Sequence, residues 1–204
     1  MPTNDVSQNL FAQTTKVTRA QREKFNNHKA FTLWFTGLSS SGKSTIAAEL
    51  EARLFKAGYR TYILDGDNTR LGVNSDLTFS VKDRSENIRR VAQISKLFND
   101  AGIIVIASFI SPFKNDRDAS RNIIGENSFI EVFIDSSLEV CKMRDPKGLY
   151  KQALAGKIKD FTGIGSPYEA PASPDIHLHT DVTSANECVK TIIDWLNNAN
   201  QYKL

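Results

Sequence analysis

The octet Gly37-Leu38-Ser39-Ser40-Ser41-Gly42-Lys43-Ser44, followed by Thr45, joins an apolar, aromatic run at 31–36 to a segment of helical period at 43–57. No other stretch constrains the chain as strongly, because this G-x-x-x-x-G-K-S spacing does chemistry only where a strand delivers it and a helix receives it. The two glycines let the backbone curl so that successive N–H groups face one centre, and the helix N-terminus adds partial positive charge. Such a cradle, formed by residues 37–45, is expected to hold the phosphates of ATP. Lys43 would bridge the β- and γ-phosphates, and the Ser44 hydroxyl would ligate Mg²⁺.

The remaining runs fit that placement. Short strand-like segments at 61–64, 103–108, 129–134 and 175–179 alternate with helical segments at 81–101, 116–124, 138–143 with 149–155, and 184–197. This alternation predicts an α/β P-loop fold with a five-stranded parallel sheet flanked by helices. With 204 residues and 40% hydrophobic content, one domain is expected over 30–204. A polar extension at 1–29 precedes it, with a short helix at 18–27. Ser80 and Asp83 have the spacing of a capping box. Residues 156–174 contain three Pro and three Gly; with Lys157, Lys159 and Phe161 they predict a substrate lid.

The net charge of +3 arises from 26 basic against 23 acidic residues, a balance that gives no reason to expect nucleic acid. Cys141 and Cys188 lie in apolar helical patterns and are expected in the core of a protein from a reducing compartment. Neither a membrane-spanning run nor a secretory signal is evident, so a cytoplasmic protein is expected, import into an organelle by an atypical signal being left open.

The second strand leads into Leu64-Asp65-Gly66-Asp67-Asn68, at the carboxyl edge where ligands of open α/β sheets bind. If the strand continued through Gly66, both carboxylates would point to one side. Asp65 is then a metal-ligand candidate beside Ser44, and Asp67 a candidate to orient an attacking hydroxyl and accept its proton. Arg70 and Arg84 offer planar forks for an anionic acceptor, with Phe79 nearby. Asn87, three residues after Arg84 on the same helix face, could hold a base or sugar hydroxyl. Arg89 and Arg90 read as surface charges. Ser111, followed by Pro112, is expected in the mouth of the site.

Arg144 is a candidate for contact with ATP, and Lys147 for the acceptor's anionic groups. Asp145 to Gly148 has the Asp-x-x-Gly of a GTPase switch, but no Asn-Lys-x-Asp guanine reader occurs. His177 and His179 alternate on the last strand and, lacking a partner cluster, read as a strand end rather than a metal site. Taken alone, these residues leave the acceptor open between a nucleotide and another small hydroxylated molecule such as a sugar acid. A silent nucleotide-binding module is the other alternative, and intact Lys43, Ser44 and Asp67 count against it.

Together the motifs Gly-Leu-Ser-Ser-Ser-Gly-Lys-Ser-Thr, Leu-Asp-Gly-Asp-Asn, Asp-Arg-x-Glu-Asn-Ile-Arg-Arg, Ser-Phe-Ile-Ser-Pro, Arg-Asp-Pro-Lys-Gly-Leu-Tyr and Phe-Thr-Gly-Ile resemble those of the adenylylsulfate kinases, from about Val17 to the final helix. The resemblance implies transfer of the ATP γ-phosphate to the 3′-hydroxyl of adenylylsulfate with Mg²⁺, in sulfate activation. It also implies a nucleoside-monophosphate-kinase-like sheet and a homodimer. Adenylylsulfate would be contacted by Arg70, Arg84, Asn87, the backbone near Ile110, Lys147, Leu149 and Thr162, its adenine lying between Phe79 and Phe161. Ser111 matches the serine described in that family as a phosphoserine intermediate, although direct transfer oriented by Asp67 is physically simpler. Three positions depart from the pattern: Ser40 for Ala, Leu71 for Phe or His, and Thr78 for Gly, the last restricting the backbone before Phe79.

Overall fold

The computed structural model describes residues 15–199 together with Phe11, Gln13 and Tyr202. Most of the first half of the expected 1–29 extension therefore lies outside the described residues. Its second half forms α1 (Arg19–Asn26), closed by a reciprocal cap between Thr18 and Gln21. The chain then runs β1 (Thr32–Thr36), α2 (Lys43–Lys56), β2 (Thr61–Asp65), α3 (Gly66–Leu71), α4 (Val81–Asp100), β3 (Ile104–Ser108), α5 (Lys114–Ile124), β4 (Phe129–Asp135), α6 (Leu138–Arg144), α7 (Leu149–Leu154), β5 (Ile176–His179) and α8 (Ala185–Asn198).

The five strands form one sheet in the order β2-β3-β1-β4-β5, every neighbouring pair parallel. Helices cover both faces, so β1 and β3 are buried along their whole length and read as continuous apolar runs rather than as alternation. The side-chain period of 2 still divides the core. Phe31, Leu33 and Phe35 pack with Ile46 and Leu50 of α2 and Val189 and Ile192 of α8. Trp34 faces the other way, with Val91 and Ala92 of α4 and Ile124 of α5.

Two local expectations need correction. The strand geometry does not continue through Gly66: Asp65 ends β2 and its side chain accepts the N–H of Asp67, capping α3, which the sequence reading missed. The reason is that Asp, by bonding the N–H two residues ahead, favours a helix start over an extended chain. At α4 the Ser80 hydroxyl accepts from Asp83 N (3.2 Å), but the Asp83 carboxylate returns to the N–H of Thr78 (2.9 Å) and to its hydroxyl, not to Ser80. Thr78 thus completes the cap that fixes the chain just before Phe79.

Because all strands are parallel, their carboxyl ends, at Thr36, Asp65, Ser108, Asp135 and His179, share one edge. The loops that carry the candidate residues gather there.

Candidate active site

A cleft of about 1140 Å³ opens along that edge. Its donor side is built from the loop between β1 and α2. Gly37 passes so close to β4 that a Cβ would collide with the carbonyl oxygen of Ile134, and Gly42, at φ +103°, starts α2 in a conformation that a side chain would strain. Ser40 takes φ +62° without being glycine. Two side chains from elsewhere hold the loop by its carbonyls: Tyr150 Oη donates to Ser39 O (3.1 Å), and Thr180 Oγ1 to Ser41 O (2.8 Å). Burial pushes the Lys43 ammonium down to about 8, partly offset by nearby acidic groups including Asp65. Its Nζ donates to Gly37 O (3.0 Å) and Leu38 O (2.6 Å). Ser44 Oγ donates to Asp65 Oδ2 at 3.2 Å, bringing together a hydroxyl and a carboxylate of the kind that Mg²⁺ takes as ligands. The donor set therefore fits the ion.

Facing this loop, Asp67 is ion-paired with Lys147, which joins the start of α3 to the turn between α6 and α7. The pairing raises the ammonium of Lys147 above its ordinary range. Beyond them lie the two guanidinium groups. Arg70 sits 4.4 Å over the ring of Phe79, and Arg84 bonds Phe79 O (2.9 Å). Arg84 also reaches the lid, donating to Asp160 O (2.6 Å) and Thr162 Oγ1 (3.1 Å). Burial lowers the pKa of both arginines, and Arg84 adds to the effect on Arg70, so positive charge is concentrated here. An anionic ligand would relieve that repulsion.

Phe79 is 67% exposed while Phe161 is almost buried, edge-on to Tyr150 at 5.0 Å, yet both line the cleft. Leu149, Thr162, Ile110 and Ser111 line it too, as does Arg144, which donates to Thr180 O (2.5 Å). The backbone carbonyl of Ile110 accepts from Thr36 Oγ1 (2.8 Å).

Ser111 lines the cleft, but as a buried part of its wall rather than in the open mouth. It is 1% exposed, in the left-handed region at φ +36°, and its Oγ accepts from Trp34 Nε1 at 3.2 Å. Its carbonyl accepts from Arg117 Nη1 (2.9 Å). The sequence reading missed Trp34, and it also missed Asn74. Asn74 is fully buried, and its Nδ2 donates to Asn87 Oδ1 (3.0 Å). That bond occupies the amide oxygen of Asn87 and turns its Nδ2 into the group available to a ligand. An Asn thirteen residues upstream carries no sequence signal for such a contact.

The lid divides in two. Lys157, Ile158, Lys159, Phe161 and Thr162 line the cleft. The following residues are tied to the sheet edge: Glu169 N donates to Pro112 O (2.8 Å), Arg117 Nη2 to Glu169 O (2.7 Å), and Tyr168 Oη lies 2.9 Å from Thr36 Oγ1. Cys141 and Cys188 are free and buried, as expected. No helix of the described residues is long and apolar enough to cross a membrane.

The sequence profile of the family described as adenylylsulphate kinase matches residues 29–179. An adenylyl-sulfate kinase of Clostridium acetobutylicum is 54% identical over 193 residues, covering 95% of this chain and 96% of the relative. That of Marinobacter nauticus is 55% identical, covering 92% of this chain and 94% of the relative. Among solved structures, the Mycobacterium tuberculosis APS kinase CysC in complex with AMPPNP and APS superposes with a TM-score of 0.80 at 45% identity, over 83% of this chain and 99% of that one. A gluconokinase of Sinorhizobium meliloti, at 16% identity and TM-score 0.54, covering 83% of this chain and 92% of its own, shares the fold alone.

Proposed function

The chain belongs to the adenylylsulphate kinase family and is an ATP-dependent adenylyl-sulfate kinase, and from that premise we propose how its residues divide the transfer of the ATP γ-phosphate to the 3′-hydroxyl of adenylylsulfate. The observation that carries the division is that one cleft joins the phosphate cradle of residues 37–45 to a cationic, aromatic pocket.

On the donor side, the N–H groups of the cradle, Lys43 and Arg144 bind ATP. Ser44 and Asp65 would hold Mg²⁺, which would supply charge neutralisation for the phosphates. On the acceptor side, Phe79 and Phe161 embrace the adenine, and Arg70 and Arg84 receive the phosphosulfate. Asn87, oriented by Asn74, donates to the nucleotide. Lys147, Leu149, Thr162 and the backbone at Ile110 complete the seat. The lid at 156–174 closes over the acceptor through its first half, which excludes water from a phosphoryl group that would otherwise hydrolyse.

Asp67 takes the proton of the attacking hydroxyl. Its partner Lys147 holds the carboxylate in position before the acceptor arrives. Transfer is direct: the Ser111 hydroxyl accepts from a buried indole N–H, which supports a role in shaping the site rather than as a phosphorylated intermediate. The reading includes a cytoplasmic homodimer, and sedimentation at micromolar concentration tests the assembly.

The test is incubation with Mg-ATP and, separately, adenylylsulfate, AMP, CMP or gluconate, with ADP release followed and products weighed by mass spectrometry. Rapid release with adenylylsulfate alone, and a product one phosphoryl group heavier, is expected. Turnover only with gluconate or a nucleoside monophosphate would discard the acceptor assignment.

A further inference from the structure

At the outer side of the same sheet edge a second group of side chains converges. The parallel register sets Asp135 of β4 opposite His179 of β5, and Phe133 opposite His177. Alternation along β5 sends Ile176 and Leu178 into the core and leaves both histidines outside. Their rings meet on one oxygen: His177 Nε2 is 2.9 Å and His179 Nδ1 3.3 Å from Oδ2 of Asp135. The three potential ligand atoms all lie within 4.8 Å of one another.

The geometry is also braced. Phe133 stacks on the His177 ring at 4.9 Å, and the Asp135 carbonyl accepts the N–H of Thr180 (2.8 Å). His179 and Asp135 are thus fixed by backbone pairing and His177 by an aromatic neighbour. The two histidines do end a strand, and the partner they lacked in sequence is Asp135, more than forty residues upstream.

Two imidazole nitrogens and a carboxylate oxygen suit a borderline ion such as Zn²⁺, Co²⁺ or Ni²⁺ rather than Mg²⁺, which prefers oxygen. Ligands about 2.0–2.1 Å from a tetrahedral ion are about 3.3–3.4 Å apart; the His179–Asp135 separation of 3.3 Å matches this, and the His177–Asp135 separation of 2.9 Å would widen slightly. The exposed side of the cluster leaves the remaining position to water. We propose that Asp135, His177 and His179 bind one divalent transition-metal ion, with Zn²⁺ as its representative, at a site separate from Ser44 and Asp65. It stands next to the phosphate cradle, because Thr180, directly after His179, also bonds Ser41 O.

The full chain, freed of metal by a chelator and kept in excess Mg²⁺, would be titrated with Zn²⁺ by calorimetry. One equivalent is expected to bind, with H177A, H179A and D135N each at least about tenfold weaker. The buried thiols of Cys141 and Cys188 are not expected to compete. Co²⁺ added to the unaltered protein provides a readout that needs no variant: a visible ligand-field band that Zn²⁺ bleaches. Absence of that band, no Zn²⁺ binding by the unaltered chain, or equal binding by a folded H177A/H179A double variant would overturn the proposal.

Discussion

Lys43 is the residue at which burial and function pull hardest against each other. Its ammonium, ordinarily at 10.5, lies at about 8 in the folded chain because burial disfavours the charge. Between those values the unfolded chain holds a proton that the folded chain has released. The ligand-free protein therefore gains stability from this group as pH rises from about 8 to 10.5. Phosphates reverse the preference, so nucleotide binding at about pH 8.5 should take up part of a proton. Calorimetry in two buffers of different ionisation enthalpy would reveal it, and Lys43→Arg should abolish the difference. Equal heats for the unaltered protein would mean that Lys43 is already charged. Lys43→Ala should lower kcat by about 10²–10³ or more through loss of transition-state charge stabilisation.

Asp67→Asn tests the proton acceptor and should lower kcat by about 10²–10⁴ with little change in the KM for ATP. Ser111→Ala should behave differently. It leaves the Trp34 indole N–H without its acceptor and should destabilise the fold by about 1–3 kcal/mol, visible in denaturant titration. Its kcat should fall by much less than the roughly 10²-fold typical of a lost acid–base group. A folded Ser111→Ala protein without activity would instead favour a phosphoserine step.

Among the elements, α4 does most to couple acceptor binding to closure. Its Arg84 guanidinium spans from Phe79 O to Asp160 O and Thr162 Oγ1, so one side chain holds both the aromatic wall and the lid. Bonds from a charged donor are worth about 1.5–3 kcal/mol. Arg84→Ala should therefore raise the KM for adenylylsulfate about 10- to 100-fold, leave that for ATP nearly unchanged, and speed proteolytic cutting within 156–174. An unchanged cutting rate would show that the lid is held by its second half, through Glu169 and Tyr168, without help from α4.

Across the whole molecule, acid should act through carboxylates held below their ordinary range. Arg89 and Arg90 hold Glu86 at about 2, chiefly through their hydrogen bonds. A hydrogen bond from Arg90 also lowers Asp76, and hydrogen bonds at the helix caps lower Asp83 and Glu187. At Glu23 burial works against ionisation, but bonds from Ala30 N, Lys29 and Arg19 outweigh it. For each, the folded value lies below the unfolded one. Each contribution is full above the ordinary carboxylate range and is lost as pH falls through the lowered folded value, which for Glu86 is about 2. Burial raises Asp116 and Glu131 despite the bonds they accept from Ser85 and Arg117, which opposes this trend. The Tm should be nearly flat from neutral pH to about 5 and then fall, less steeply in Glu86→Gln. A Tm at pH 3 equal to that at neutral pH would contradict the assignment.

The five strands were legible within a residue or two, and the phosphate cradle with them, because both are written in contiguous spacing: apolar runs, two glycines and a lysine at fixed offsets. The positions of Asp67 and Ser111 along the cleft were legible for a related reason, since strand ends of a parallel sheet share an edge, whereas Leu149, Thr162 and the adenine-facing role of Phe161 came from the family resemblance. What the sequence concealed depends on partners far away along the chain. The partner of the buried Ser111 hydroxyl is Trp34 of β1, the orientation of Asn87 is set by Asn74, and the meeting of His177 and His179 with Asp135 by the register between β4 and β5. Local spacing determined which residues line the edge, but only tertiary packing decided which of them touch, because those contacts are made between elements that the chain itself keeps apart.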